Sequence, residues 1–225
     1  MQRRNFCDEA GARSDGLMIV SILFITAFTY IALTTNPVYT GIGVGDRAPN
    51  LVGEVWDGSS WNEFDLHENL ENNRNADPPR KVYYMVEFMD TNCGFCISAA
   101  DANSQEQGGG AIPANQAKWT GENPTRSMPA DVSVEFLAVS IALHEGSSGW
   151  DYGEDEIIEF RSKYEHTFGY MNDQDNENRD EWGIPGTPTY FLIGPDGIIL
   201  YATPDAEQGE YVWDAMELEI PRGEV

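Results

Sequence analysis

The chain sets a few dense apolar runs among long polar stretches, and those runs place its elements. Leu17–Leu33 holds no charged residue. Extended to Thr35, it nears the lower limit for a membrane-spanning helix, which needs about 17 to 25 residues. Lys81–Met89 is a nearly continuous apolar run, the mark of a central strand covered on both faces. Val132–Ile141 reads as a second such strand, and Val55–Ser59 as a strand end and turn, followed by Trp61–Leu66. Downstream, Thr189–Ile193, the turn Gly194-Pro-Asp-Gly197 and Ile198–Tyr201 form a hairpin pattern. Apolar residues at 157, 158, 160 and 164 fit one face of a helix over Asp155–Tyr164, acidic at its start and basic at its end. A helix is expected from Cys93 to about Gln107, where Gly108-Gly109-Gly110 stops it, and another over Glu207–Glu219. Residues 67–80 and Asn172–Glu181 read as polar loops, and Ala111–Ala130, with three prolines, as an irregular insertion within about 108–131. Strand, helix, strand, helix, hairpin and final helix make an α/β domain, one sheet with helices on both faces.

Charge sharpens this division. Residues 1–16 balance three arginines against three acids, so the net charge of −25 belongs wholly to the chain from Leu17 onward. So acidic a surface repels nucleic acid and anionic lipid. It serves solubility, or else docks a basic partner. Three arginines precede the apolar run and the next basic residue is Arg47, a bias that puts the N-terminus in the cytoplasm. The expected organisation is a cytoplasmic N-terminus over 1–16, a membrane anchor over 17–35, a linker over 36–45 and an extracytoplasmic domain over 46–225. The competing reading is a cleaved signal peptide. The apolar run exceeds the roughly 7 to 15 residues of such a core, and no small-x-small site follows it.

Two of the three cysteines lie in the domain, as Cys93-Gly94-Phe95-Cys96 directly after the first central strand. A helix N-terminus stabilises the first thiol as thiolate. The second, one turn on, lies within reach to resolve a mixed disulfide. A structural zinc site would need four ligands, whereas only two thiols and the scattered His67, His144 and His166 are available. Cys7 precedes the apolar run and reads as an incidental reduced thiol. Glu87, six residues before Cys93, is an acid inside an apolar strand. Buried, it would hold a raised pKa suited to accepting a proton; the alternative is exposure through strand alternation or a bend.

These residues resemble the thioredoxin fold, and most closely its membrane-anchored, extracytoplasmic TlpA/ResA-like branch. The resemblance rests on Gly45-Asp46-x-Ala48-Pro49-x-Leu51, on the Cys93–Cys96 motif after a strand, on Gly186-Thr187-Pro188-Thr189 before a hairpin, and on Gly194-Pro-Asp-Gly197-Ile198. It implies a central mixed sheet flanked by helices, behind a single transmembrane helix. It further implies a thiol–disulfide oxidoreductase on protein cysteines with Cys93, Cys96 and Glu87 catalytic, and a redox-active Cys93–Cys96 disulfide in place of any cofactor. Thr187 and a cis-Pro188 would bind substrate backbone, with Gly94 and Phe95 setting substrate fit. The implied partners are protein thiol or disulfide clients and a membrane or soluble redox partner. The chain departs from thioredoxins in having Thr91-Asn92 where they carry Trp before the first cysteine, and Gly-Phe where they carry Gly-Pro. Gly-Phe resembles the Gly-Tyr of periplasmic disulfide isomerases. A rival reading is a copper metallochaperone using Cys93, Cys96 and His144 or His166, although copper-carrying relatives space their cysteines by three residues. A third is a binding module with vestigial cysteines.

Overall fold

The computed structural model describes residues 8–34, 38–106, 108–120, 124–144 and 149–223. Cys7, the 35–37 end of the expected anchor and start of the linker, and Gln107 lie outside the described residues. The chain divides into two units, Met1–Val38 and Tyr39–Val225. The first holds helix α1 (Asp8–Thr34), whose side chains over residues 16–30 are all exposed, Leu17, Phe24 and Phe28 by 70% or more. Among the described residues, no helix is long and apolar enough to cross a membrane.

The second unit is a seven-stranded mixed sheet. Its strands are β1 (Val52–Trp56), β2 (Trp61–Asp65), β3 (Lys81–Met89), β4 (Val132–Ile141), β5 (Gly169–Asp173), β6 (Thr189–Ile193) and β7 (Ile199–Ala202), in the order β2-β1-β5-β4-β3-β6-β7. β3, β4 and β5 run parallel, while β6 lies antiparallel to β3 and β7 to β6. Eight of the nine β3 residues are buried, because helices cover both faces. Tyr83, Met85 and Met89 face the layer of α3 (Gly94–Ala100), α4 (Ala111–Trp119), α5 (Glu154–Lys163) and α7 (Val212–Glu219). Val82, Tyr84, Val86 and Phe88 face α2 (Leu66–Asn75) and the Trp182–Ile184 segment that follows α6 (Glu177–Glu181).

The departures from expectation have local causes. Residues 67–80 are not all loop: α2 is capped by Asp65, whose carboxylate accepts from the Glu68 amide at 2.9 Å, and it buries Leu66 and Leu70. The helix after Cys93 ends at Ala100, not near Gln107. There the Asp101 carboxylate accepts from the Asn103 amide at 2.8 Å, an Asx turn that competes with helix continuation. The irregular stretch after Ala111 contains α4, which tolerates Pro113 in its first turn and buries Ile112 and Trp119. Strand β5 and helix α6 replace parts of the expected polar loop, and the last helix starts at Val212 rather than Glu207.

Candidate active site

β3 delivers the site. At its end the chain turns through Asp90–Cys93, with the Cys93 amide donating to the Asp90 carbonyl at 3.0 Å, and enters α3 with Cys93 at the N-cap. Asp90 is fully buried, and its carboxylate holds this turn in place. One oxygen accepts from the Asn92 amide at 2.7 Å; the other accepts from the Leu143 amide at 3.1 Å and the Tyr152 hydroxyl at 2.8 Å. The Asn92 side chain in turn donates to the Asp151 carbonyl at 3.0 Å. The loop after β4 is thus fastened to the turn that presents the first cysteine.

Cys93 is half-buried and Cys96, one helical turn later, is buried; both are free thiols. The Cys96 thiol beside it holds the Cys93 thiol down to about 5. Thr187 and the Cys96 and Phe95 amides act in the same direction, against burial. For Cys96, burial comes first, and the contact with Cys93 and the charge of Glu87 add to it, so its thiol lies far above the ordinary range. The pair is therefore asymmetric, an outer thiolate over an inner thiol.

Glu87 sits beneath them. Period-two alternation puts it on the Tyr83–Met85–Met89 face, the face that α3 covers, so it is 2% exposed. Burial, with a smaller push from Cys93, raises its carboxyl to about 8, opposed by the Tyr190 hydroxyl that donates to Oε1 at 3.1 Å. Across from the cysteines, the Thr187–Pro188 bond is cis. The Thr189 hydroxyl closes that turn on the Gly186 carbonyl at 2.7 Å, and Cys93 Sγ lies 3.5 Å from the Thr187 carbonyl oxygen. Phe95 is 74% exposed. A Cβ on Gly94 would meet nothing within 4 Å, so the surface beside Cys93 is open.

The structure therefore brings Glu87, Cys93, Cys96, Thr187 and Pro188 together, with Gly94 and Phe95 at the rim. It does not bring in either histidine named for copper. His144 stands edge-on to Trp150 at 4.5 Å, and His166 is buried against Phe168 and Tyr170, its Nδ1 2.6 Å from the Tyr170 hydroxyl. Among the described residues no three His, Cys, Asp or Glu side chains converge to hold a metal. Reading the residues alone missed Asp90, Tyr152 and Tyr190. An acid closing an apolar strand three residues before a cysteine was a usable signal for Asp90. Tyr190 needed the β3–β6 register.

No protein-family profile matches the chain, and no curated protein matches it. Solved structures do. A thioredoxin domain of a thiol-disulfide oxidoreductase from Bacteroides vulgatus matches with a TM-score of 0.51 and 16% identity, over 80% of this chain and all of that one. A C-terminal domain described as a thiol-disulfide oxidoreductase from Bacteroides thetaiotaomicron matches with a TM-score of 0.51 and 12% identity, over 79% of this chain and 95% of that one. The chain has the thioredoxin-like α/β fold: a mixed sheet flanked by helices.

Proposed function

We propose that the domain is a thiol–disulfide oxidoreductase acting on protein cysteines outside the cytoplasm. The observation that carries this reading is the layered site: an accessible Cys93 held as thiolate, a buried Cys96 thiol under it, and a buried carboxyl poised near neutrality beside both. In the oxidised-substrate direction, the Cys93 thiolate attacks one sulfur of a client disulfide. A Cys93–client disulfide forms and the other client sulfur leaves as thiolate. Glu87, ionised, takes the proton of Cys96. The Cys96 thiolate then attacks Cys93, forming the Cys93–Cys96 disulfide and releasing the second client thiolate, which takes up a proton. The reverse sequence oxidises a client dithiol. The cis-Pro188 turn leaves Thr187 beside Cys93, where its backbone can pair with an extended client segment.

Two surface features favour a polypeptide client. Neither of two surface concavities of about 490 and 470 Å³ touches the cysteines. Beside Thr91 and Asn92 runs an open groove of about 260 Å³ carrying Asp151, Glu156 and Glu159 against Lys163, which suits a basic or unfolded chain better than an acidic one. The uncovered apolar side chains of α1 support attachment of the domain to a membrane, with Arg3, Arg4 and Arg13 on the cytoplasmic side.

The test is the reduction potential of the full chain, read by thiol alkylation across glutathione and dithiothreitol buffers. A value near −270 mV marks a reductant, and one between about −180 and −120 mV an isomerase or oxidant. Failure to form any reversible Cys93–Cys96 disulfide would sink the reading.

A further inference from the structure

Glu87 has a partner whose position is dictated by the sheet. In the β3–β6 register Glu87 lies opposite Tyr190, and in the β3–β4 and β4–β5 registers it lies opposite Ala138, itself opposite Tyr170. Directly opposed residues share a face with Cβ atoms about 5 Å apart. Tyr190, Glu87, Ala138 and Tyr170 therefore form one row under α3. The small Ala138 separates the carboxyl from Tyr170, whose hydroxyl is engaged with His166. Among the described residues, Tyr190 alone reaches the Glu87 carboxylate with a donor, at 3.1 Å.

Tyr190 is also held more firmly than an ordinary strand residue. The Thr203 hydroxyl clamps its backbone from both sides, accepting from the Tyr190 amide at 2.9 Å and donating to its carbonyl at 3.2 Å. Its ring lies against Trp213, with centroids 5.9 Å apart. It stands two residues after Pro188, on the strand that begins at the client-facing turn. The titratable groups facing Glu87 are thus Cys93 at the start of α3 and Cys96 within it, Tyr190 of β6 and, beyond Ala138, Tyr170 of β5. Of these, only Tyr190 offers a neutral hydroxyl donor to a carboxylate oxygen at bonding distance.

Resting on the oxidoreductase reading above, we propose that Tyr190 is a positioning residue for the resolving step. Its hydroxyl ties down one oxygen of the Glu87 carboxylate, stabilises the ionised form and leaves the other oxygen to take the Cys96 proton. A donor to a carboxylate favours the charged form. Removing the hydroxyl while keeping the ring leaves Glu87 protonated to higher pH, so at neutral pH fewer molecules can accept the proton of Cys96. Attack by Cys93, which needs no base, is untouched.

The experiment uses the full chain, reduced, with a dithiobis-nitrobenzoate disulfide whose thiolate absorbs in the visible. The first thiolate released reports attack by Cys93, and the second reports resolution by Cys96. In Tyr190→Phe the pH limb of the second phase is expected to move up by about half a pH unit or more, with the first phase unchanged. A 13C-carboxyl NMR titration of Glu87, assigned with Glu87→Gln, should move with it. An unmoved second limb with an unmoved carboxyl titration overturns the proposal, and so do both phases slowing equally at all pH values. If Tyr190→Phe does not fold, 3,5-difluorotyrosine at 190, a stronger donor of the same shape, should move the limb down, and no movement overturns the proposal. A wild-type protein that shows no second release at any pH defeats the oxidoreductase reading itself, a failure distinct from that of Tyr190.

Discussion

Cys93 and Glu87 are shifted in opposite directions by the same small volume of protein, and both shifts can be read in solution. For the reduced protein, alkylation of Cys93 by iodoacetamide should reach half its plateau rate near pH 5, rather than near the ordinary thiol value of about 8.5. Cys96→Ala removes the largest cause of that shift, the side-chain donor to the Cys93 sulfur, and should return the midpoint toward the ordinary value. Glu87 makes a second prediction, on stability. The unfolded chain ionises this carboxyl near 4.3 and the native state near 8. Between those values the native state binds more protons, so wild-type stability falls as pH rises. Glu87→Gln has no such loss. Relative to wild type, it should be equally stable at pH 4 and more stable by about 3–5 kcal/mol above pH 8, since each tenfold change in proton affinity is worth roughly 1.4 kcal/mol. Urea denaturation of both proteins at pH 4, 7 and 8.5 checks the difference.

At the scale of elements, α4 is the piece whose attachment is least obvious from its sequence and most specific in the structure. Trp119 is fully buried, and the Arg126 guanidinium lies 4.4 Å above its ring. Arg126 also reaches α7, with Nε 3.1 Å from the Glu217 carboxylate and Nη2 donating to the Ile220 carbonyl at 3.1 Å. Arg126→Ala should therefore cost about 1–3 kcal/mol by denaturant unfolding, because it leaves the Ile220 carbonyl without its donor and uncovers the Trp119 ring, while the Glu217 carboxylate keeps Lys118 and Arg222. Exchange kinetics at Cys93 should be unaffected. Much of the framework was legible in the residues: β3, β4 and the β6–β7 hairpin are long apolar runs bounded by turn residues, and Cys93–Cys96 and Thr187-Pro188 stand at their ends. What escaped was either short or long-range. β5 is five residues ending in Asn172 and Asp173, polar enough to pass for loop, and Asp173 is buried because it accepts from the Asn178 and Arg179 amides. α2 has only Leu66 and Leu70 to mark a face. Tyr190 and Asp90 take their meaning from partners that local pattern does not name.

At the scale of the whole molecule, a net charge of −25 acts on encounter rather than on chemistry. With a cationic and an anionic peptide disulfide of equal length, exchange should be faster for the cationic one. The ratio should collapse toward unity as salt rises to about 1 M, where charges beyond roughly 3 Å are screened. A ratio insensitive to salt would show that the acidic surface has no part in client choice. The Asp90 carboxylate has a further consequence, in the order of folding. It bonds donors 53 and 62 residues further along the chain. Closing loops of that length costs chain entropy before any contact repays it, and local structure forms first. A nascent chain can therefore form the turn of helix after Cys93 while still lacking the clamp that fixes it, since β3 itself pairs with the later β4 and β6. Until β4 and its following loop arrive, the turn that presents Cys93 lacks its Asp90 anchor, and Thr187, later still in the chain, is not yet beside the sulfur.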